Sequence, residues 1–297
     1  MTNDFEEPFF ADEQTQTLDP NISTKLPSPF DNLKISSTEI LEKITERTPC
    51  PKCDKPVKYF CYWCYIFVGC DSKEIPRVKL PIKIDVWDFT FFIIKFLGQK
   101  VLLVCGEISC FELIKHNKEL DGKSTVAHAK VIAPDDVEII SYLQMPKIKD
   151  PDRVLLLYPS PDSKTLQEIP RSSFDKLLIV DGTWRQASNM AKTNPELKNI
   201  RKVTIKPQKT LFWRYQNKDE NHLSTIEALY YFLKEYNEIY EIPEETINSD
   251  NNEYDGRYDN LLWYFKYFYE FIQATYRRQK GKKNFTTRQR EGYIRYE

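Results

Sequence analysis

The sequence predicts an α/β domain, a mostly parallel sheet with flanking helices, preceded by a small cysteine-rich module. Three observations carry that expectation. Val154-Leu-Leu-Leu-Tyr158 and Leu177-Leu-Ile-Val180 are short, continuous apolar runs, as strands buried on both faces require. Strand-like and helix-like stretches alternate from residue 76 to about 277, the pattern of strands joined by helices. Cys50-Pro-Lys-Cys53 and Cys61-Tyr-Trp-Cys64 form two Cys-x-x-Cys turns seven residues apart.

Residues 1–47 read as a disordered acidic lead. Up to Thr24 it carries Asp4, Glu6, Glu7, Asp12, Glu13 and Asp19 with no Lys or Arg, a composition that buries too little surface to order itself. A short helix is expected at 37–46. Residues 48–70 read as an N-terminal zinc-knuckle module. Cys50, Cys53, Cys61 and Cys64 complete the tetrahedral four-sulfur shell that Zn2+ favours, and a shell with no open position is structural. Nothing near the N-terminus pairs a basic stretch with an apolar core, so an intracellular protein is expected, and its seven cysteines are not a disulfide framework. Cys70, Cys105 and Cys110 read as ordinary thiols. Lys52, Lys55, Lys58, Tyr59, Tyr62 and Trp63 decorate the knuckles; they suit either RNA or a cover over the small metal core.

The 297 residues, 41% hydrophobic, suffice for a sizeable core in the stretch 76–277. Within it Val203-Thr-Ile205 is a weaker third strand. Helices are expected at 184–192, 224–240 and 258–277. The second opens with Ser224-Thr-Ile-Glu227, the spacing of a capping box. The third carries Leu261, Leu262, Phe265, Phe268, Phe271 and Ile272 at near-helical spacing, a core stripe. The apolar stretches 86–105 and 258–276 are broken by charges and fall short of the roughly 18 apolar residues of a membrane span, so no membrane partner is expected, nor is an obligate protein partner evident. The net charge of −1 conceals a basic tail over 278–297, suited to an anionic partner or nuclear import; a nuclear location is expected, with the cytoplasm as the alternative.

The most informative segment is Asp181-Gly-Thr-Trp184, directly behind the apolar run 177–180. It presents a carboxylate, a hydroxyl and an indole where a buried strand ends, and open α/β sheets bind ligands outside the carboxyl ends of their strands. Other segments form an ordered set around it: Leu80-Pro-Ile-Lys-Ile-Asp85, Lys115-His-Asn-Lys-Glu119, Asp121-Gly-Lys-Ser-Thr125 running into Val126-Ala-His-Ala-Lys130, Lys209-Thr-Leu-Phe-Trp-Arg214, Leu223-Ser-Thr-Ile-Glu-Ala228 and Tyr258-Asp-Asn-Leu-Leu262. With the paired cysteine turns, this order resembles the DTW-domain tRNA-uridine aminocarboxypropyltransferases over about residues 49–272, most of all their type-1 eukaryotic branch.

The resemblance implies a SPOUT-like, knotted α/β fold that holds S-adenosyl-L-methionine. It implies transfer of the 3-amino-3-carboxypropyl group to N3 of a tRNA D-loop uridine (position 20), forming acp3U with methylthioadenosine as co-product. In that frame Asp181 is the expected base for the N3 proton, or else it orients N3 while Arg214 stabilises the developing anion. His116, Glu119, Ser124, Thr125, Thr183, Trp184, Ser224, Thr225 and Glu227 are expected to line the cofactor, with the helix opening at Ser224 receiving its carboxylate. Lys192, Lys198, Arg201, Lys202, Lys206, Lys209 and Lys218 supply a basic surface for a tRNA backbone. A SPOUT-type RNA methyltransferase and a non-catalytic zinc-ribbon tRNA-binding protein are the competing readings.

The chain departs from the family twice. His116-Asn-Lys-Glu119 replaces the family's His-Pro-x-Glu, losing the turn that Pro sets. Residues 86–112 intervene where the family runs from the equivalent of Asp85 almost directly to that of Leu113. They read either as a retained intron, since Val codons begin with GT and one Glu codon ends in AG, or as a genuine strand over 100–105 beside the sheet.

Overall fold

The computed structural model describes residues 27–69, 71–88, 93–96, 99–102, 124–141, 147–213, 219–242 and 254–278. The acidic stretch 1–26, Cys70, Cys105, Cys110 and the basic tail beyond 278 lie outside them. Five strands form one parallel sheet: β3 (Lys83–Asp88), β6 (Val137–Ser141), β7 (Val154–Leu157), β8 (Lys176–Asp181) and β9 (Arg201–Val203), in the order β6-β3-β8-β7-β9. Both apolar runs thus become neighbouring interior strands, with Leu155 opposite Leu177 and Leu157 opposite Ile179.

Strand pleating sends alternate residues to opposite faces, and helices cover both. On one face Ile84, Leu155, Leu177 and Ile179 join the main core with helices α2 (Val126–Ile132), α5 (Thr225–Tyr236) and α6 (Trp263–Arg278). On the other, Val154, Leu156 and Leu178 pack against Met190, Ala191 and Leu197 of α3 (Trp184–Thr193) and α4 (Pro195–Lys198). That double cover is why the runs 154–157 and 177–180 need no polar alternation. The long helix expected at 258–277 begins as a 3-10 turn over Asp259–Leu262, and α5 ends in a π-turn over Asn237–Glu241. The third strand ends at Val203, earlier than expected.

The lead read as disordered through residue 47 is ordered from residue 27. Phe30 is buried with its ring 5.4 Å from that of Tyr269, and the backbone N–H groups of Lys34 and Ser36 donate to Asp259 Oδ2 (2.6 Å) and Asn260 Oδ1 (2.8 Å). Trp263 Nε1 donates to Ser37 O at 2.9 Å. The aromatic stripe of α6 supplies a partner surface that the lead's own composition could not reveal. Of the helix expected at 37–46 only α1 (Glu39–Glu42) forms.

The cysteine module repeats one turn twice. Asp54 N donates to Cys50 O and Tyr65 N to Cys61 O, each at 2.8 Å, and Asp54 and Tyr65 both adopt a positive φ, 59° and 53°. A two-stranded antiparallel ladder, β1 (Thr48–Pro49) with β2 (Pro56–Val57), ties the first turn. The module docks on α6 through Tyr59 and Phe60. The Tyr59 and Tyr267 hydroxyls lie 2.9 Å apart, and the Phe60 ring is 4.8 Å from Tyr264 and 5.5 Å from His128 of α2. Tyr59 therefore serves the core, whereas Trp63 is half-buried under Lys55, 3.7 Å away.

The stretch read as an insertion does not begin as a break in the sheet. β3 continues through residues 86–88, in register with Ile179, Val180 and Asp181 of β8. Beyond it β4 (Ile93–Phe96) and β5 (Gln99–Leu102) pair antiparallel as a separate two-stranded sheet, so the strand expected at 100–105 starts at Gln99 and pairs with β4 instead of the main sheet.

Candidate active site

β8 ends in Asp181, and the chain then has to turn at once into α3. Gly182 takes φ 152°, a conformation that side-chain-bearing residues rarely adopt, and Thr183 follows as N-cap. Thr183 is exposed and closes a capping box with Gln186, whose Oε1 accepts from Thr183 N at 2.7 Å. The order Asp-Gly-Thr-Trp is thus a strand end, a turn, a cap and a first helical residue.

Asp181 itself is buried, at 4% exposure. Ser124 Oγ donates to its Oδ2 at 2.5 Å, and Thr225 Oγ1 donates to its Oδ1. These hydroxyls come from the residue before the cap of α2 and from the first residue of α5. The two helix starts also hold each other, because Ile226 N donates to Thr125 Oγ1 at 3.1 Å. Three helix N-termini, those of α2, α3 and α5, therefore converge on one carboxylate at the carboxyl edge of the sheet. Burial pushes the Asp181 carboxyl above its ordinary range, opposed by the hydrogen bonds from Ser124 and Thr225. A carboxylate made more basic, gripped by two hydroxyls that can reorient, is equipped to accept a proton.

Ser224 caps α5 and pairs with Glu227. The Glu227 carboxylate accepts from Ser224 N (2.8 Å), Ser224 Oγ, Thr210 Oγ1 and Leu211 N (each 2.7 Å). One early N–H group of α5, that of Ile226, already has a partner inside the protein in Thr125 Oγ1, which narrows what this helix start can offer an anion. Trp184 is half-buried, its ring 4.7 Å from His222 and perpendicular to it, and His222 Nδ1 lies 2.7 Å from Asp219 Oδ1. Sequence reasoning missed His222, Asp219 and Thr210. His222 stands two residues before Ser224, but nothing in one chain's spelling marks it.

His116, Glu119, Arg214 and Lys218 lie outside the described residues. The structure brings together Asp181, Ser124, Thr125, Thr225, Ser224 and Glu227; Thr183 and Trp184 stand beside them at the start of α3. Within the basic set, Arg201 donates to the carbonyls of Asp152 and Ser173, and Lys202 pairs with Asp162 at 2.7 Å, so these two serve the edge of the sheet. Lys192, Lys198, Lys206 and Lys209 are exposed, Lys209 pairing with Glu220.

The second site is the cysteine cluster. The four sulfurs of Cys50, Cys53, Cys61 and Cys64 all lie within 4.8 Å of one another, with Cys53 and Cys61 3.6 Å apart. Four thiolates bonded to zinc at about 2.3 Å stand about 3.8 Å apart, so the donor set fits the ion. Burial and the neighbouring sulfurs push the Cys64 thiol up to about 12, while Cys50, despite its burial, is held down to about 7 by hydrogen bonds from the Lys52 and Cys53 backbone. The four thiols cannot all ionise without a cation among them.

Among the described residues no helix is long and apolar enough to cross a membrane. No solved structure matches the chain. The curated tRNA-uridine aminocarboxypropyltransferase 1 of Xenopus tropicalis is 31% identical over 287 residues, covering 81% of this chain and 85% of that protein. Its Homo sapiens counterpart is 31% identical over 312 residues, 89% of each. A tRNA-uridine aminocarboxypropyltransferase 2 from Drosophila melanogaster matches at 36% over 66 residues, 22% of this chain and 26% of that protein. The DTW domain matches residues 100–273, more than half of the chain, and with relatives alike along most of their length this places the protein in the DTW-domain family.

Proposed function

We propose that the protein transfers the 3-amino-3-carboxypropyl group of S-adenosyl-L-methionine to N3 of a tRNA D-loop uridine, position 20, forming acp3U. The observation that carries this reading is the buried Asp181 at the convergence of three helix starts, in a chain whose relatives are named tRNA-uridine aminocarboxypropyltransferases. When bound, S-adenosyl-L-methionine would supply a sulfonium whose aminocarboxypropyl carbon is the electrophile. Asp181 would take the N3 proton as uridine N3 took up that carbon, and methylthioadenosine would leave with the electron pair of the broken S–C bond. Arg214 is proposed to stabilise the uracil charge that develops as that proton leaves.

Which carbon of the sulfonium reacts is a matter of alignment. Ser124, Thr125, Ser224 and Thr225, gathered near Asp181, are proposed to line the cofactor; Thr183 and Trp184, at the start of α3, are proposed to receive the uracil or the methionine part. His116 and Glu119 complete the proposed cofactor lining. The exposed Lys192, Lys198, Lys206 and Lys209, with Lys218, are proposed to receive the tRNA backbone. The four cysteines hold a structural Zn2+. The knotted topology of SPOUT proteins and a nuclear location suggested by the basic tail belong to the same proposal.

Mass spectrometry of tRNA incubated with the protein and S-adenosyl-L-methionine tests it. The expected result is an aminocarboxypropyl increment on one D-loop uridine with methylthioadenosine released. A methyl increment with S-adenosylhomocysteine would make the protein a methyltransferase, and tRNA binding without any increment would make it a non-catalytic binder.

A further inference from the structure

Glu227 is the most heavily hydrogen-bonded acid near the site. At 3% exposure it faces four donors, two from its own helix cap and two from the remote Thr210 and Leu211. The cap needs only the first two. The others reach across to a segment that has its own closure: Thr210 N donates to Glu220 O at 2.8 Å, and Lys209 Nζ pairs with Glu220 Oε1 at 2.7 Å. Thr210 Oγ1 in turn accepts from Phe212 N at 3.0 Å, so its proton is directed at Glu227. Phe212 and Trp213 then pack on α6, the Trp213 ring 5.3 Å from Phe265.

We infer that Glu227 is a positioning residue, not a cofactor ligand: its carboxylate locks Thr210 and Leu211 to the start of α5, whose Thr225 grips Asp181. One buried acid thereby holds residues 210–211 and the helix that grips the proton acceptor in a fixed relation. A charged acceptor is needed because all four partners donate. Glutamine in its place can satisfy the three donors at Oε2 only by turning its NH2 toward Leu211 N, donor against donor.

The inference rests on the transferase reading, so its test has an arm independent of turnover. Glu227→Gln and Thr210→Val are made in the full chain; the second leaves the α5 cap untouched and keeps the inference testable if the first does not fold. Hydrogen exchange of the peptide covering 209–213 is expected to quicken by about tenfold or more in both variants, the loss of one hydrogen bond to a charged group. Where the wild type transfers, kcat/KM for tRNA is expected to fall about tenfold while the Kd for S-adenosyl-L-methionine stays within about twofold, and the double variant should be little worse than Glu227→Gln alone. Unchanged exchange overturns the tether. A cofactor Kd that rises in step with the loss of turnover overturns it too, and returns Glu227 to the cofactor site. An inactive wild type sinks the transferase reading, yet the exchange data still decide whether the lock exists.

Discussion

Replacing Asp136 by asparagine tests how the sheet edge opposite the active site is fastened. Asp136 lies just ahead of β6, and its buried carboxylate accepts from Lys79 Nζ (2.6 Å), Lys83 Nζ (2.7 Å) and Leu80 N (3.0 Å), while its carbonyl accepts from Ile84 N at 2.8 Å. It therefore ties the approach to β3 onto its neighbour β6. Burial works against the ionised form, but the two lysines and the Leu80 N–H outweigh it and hold the carboxyl down at about 2, against an ordinary 3.8. That difference corresponds to about 2 kcal/mol of folding stability at neutral pH, and because the lysine side chains are 78% and 58% exposed, screening should trim it to about 1–2 kcal/mol. Because the folded value is depressed, this stability is fully present well above 3.8 and is lost as pH falls toward 2; about half should remain near pH 3. Asp136→Asn should therefore melt roughly 2–6 °C below wild type at pH 7. Paired denaturant titrations at pH 7, 5 and 3 should show the deficit shrinking only below pH 5. A variant as stable as wild type at pH 7, or a deficit that ignores pH, would refute the reasoning.

Asp181→Asn should lower aminocarboxypropyl transfer by about 10²–10⁴-fold, the ordinary worth of a positioned base, with full turnover excluding that role. Because burial raises the Asp181 carboxyl, stability should decline as pH climbs from the ordinary carboxylate value through the raised one, so the Asn variant should melt no lower than wild type at pH 7; calorimetry at pH 4 and 7 reads the sign. Metal analysis should return one zinc per chain. Chelation or Cys64→Ser should loosen the module from α6, seen as faster exchange around Tyr59 and Tyr267 and a lower Tm, whereas a metal-free protein with unchanged melting would tell against a structural ion.

Much of the scaffold was legible because its signals are local. Two short uninterrupted apolar runs fit strands covered on both faces, and two Cys-x-x-Cys turns can bring four sulfurs together without help from the rest of the chain. Asp-Gly-Thr-Trp likewise spells its own geometry, since the glycine and the capping threonine follow directly from a strand that must become a helix. The order of residues 27–36 is not legible because it is borrowed: Phe30, Lys34 and Ser36 find partners on residues 259–269, more than two hundred positions away.

By itself the sequence determined the class of fold, the cysteine shell, the helix caps and the acid placed at a strand end, all properties of residues within a few positions of one another. Only the tertiary structure decided what surrounds that acid. Ser124, Thr225 and Asp181 are far apart in the chain, and hydroxyls grip the carboxylate only because three helices start at the same edge of the sheet. The same holds for Glu227, which spelling marks as half of a capping box and packing turns into the meeting point of two distant segments. Burial and long-range hydrogen bonds are collective, so the chemistry they set becomes readable only when the whole chain has folded.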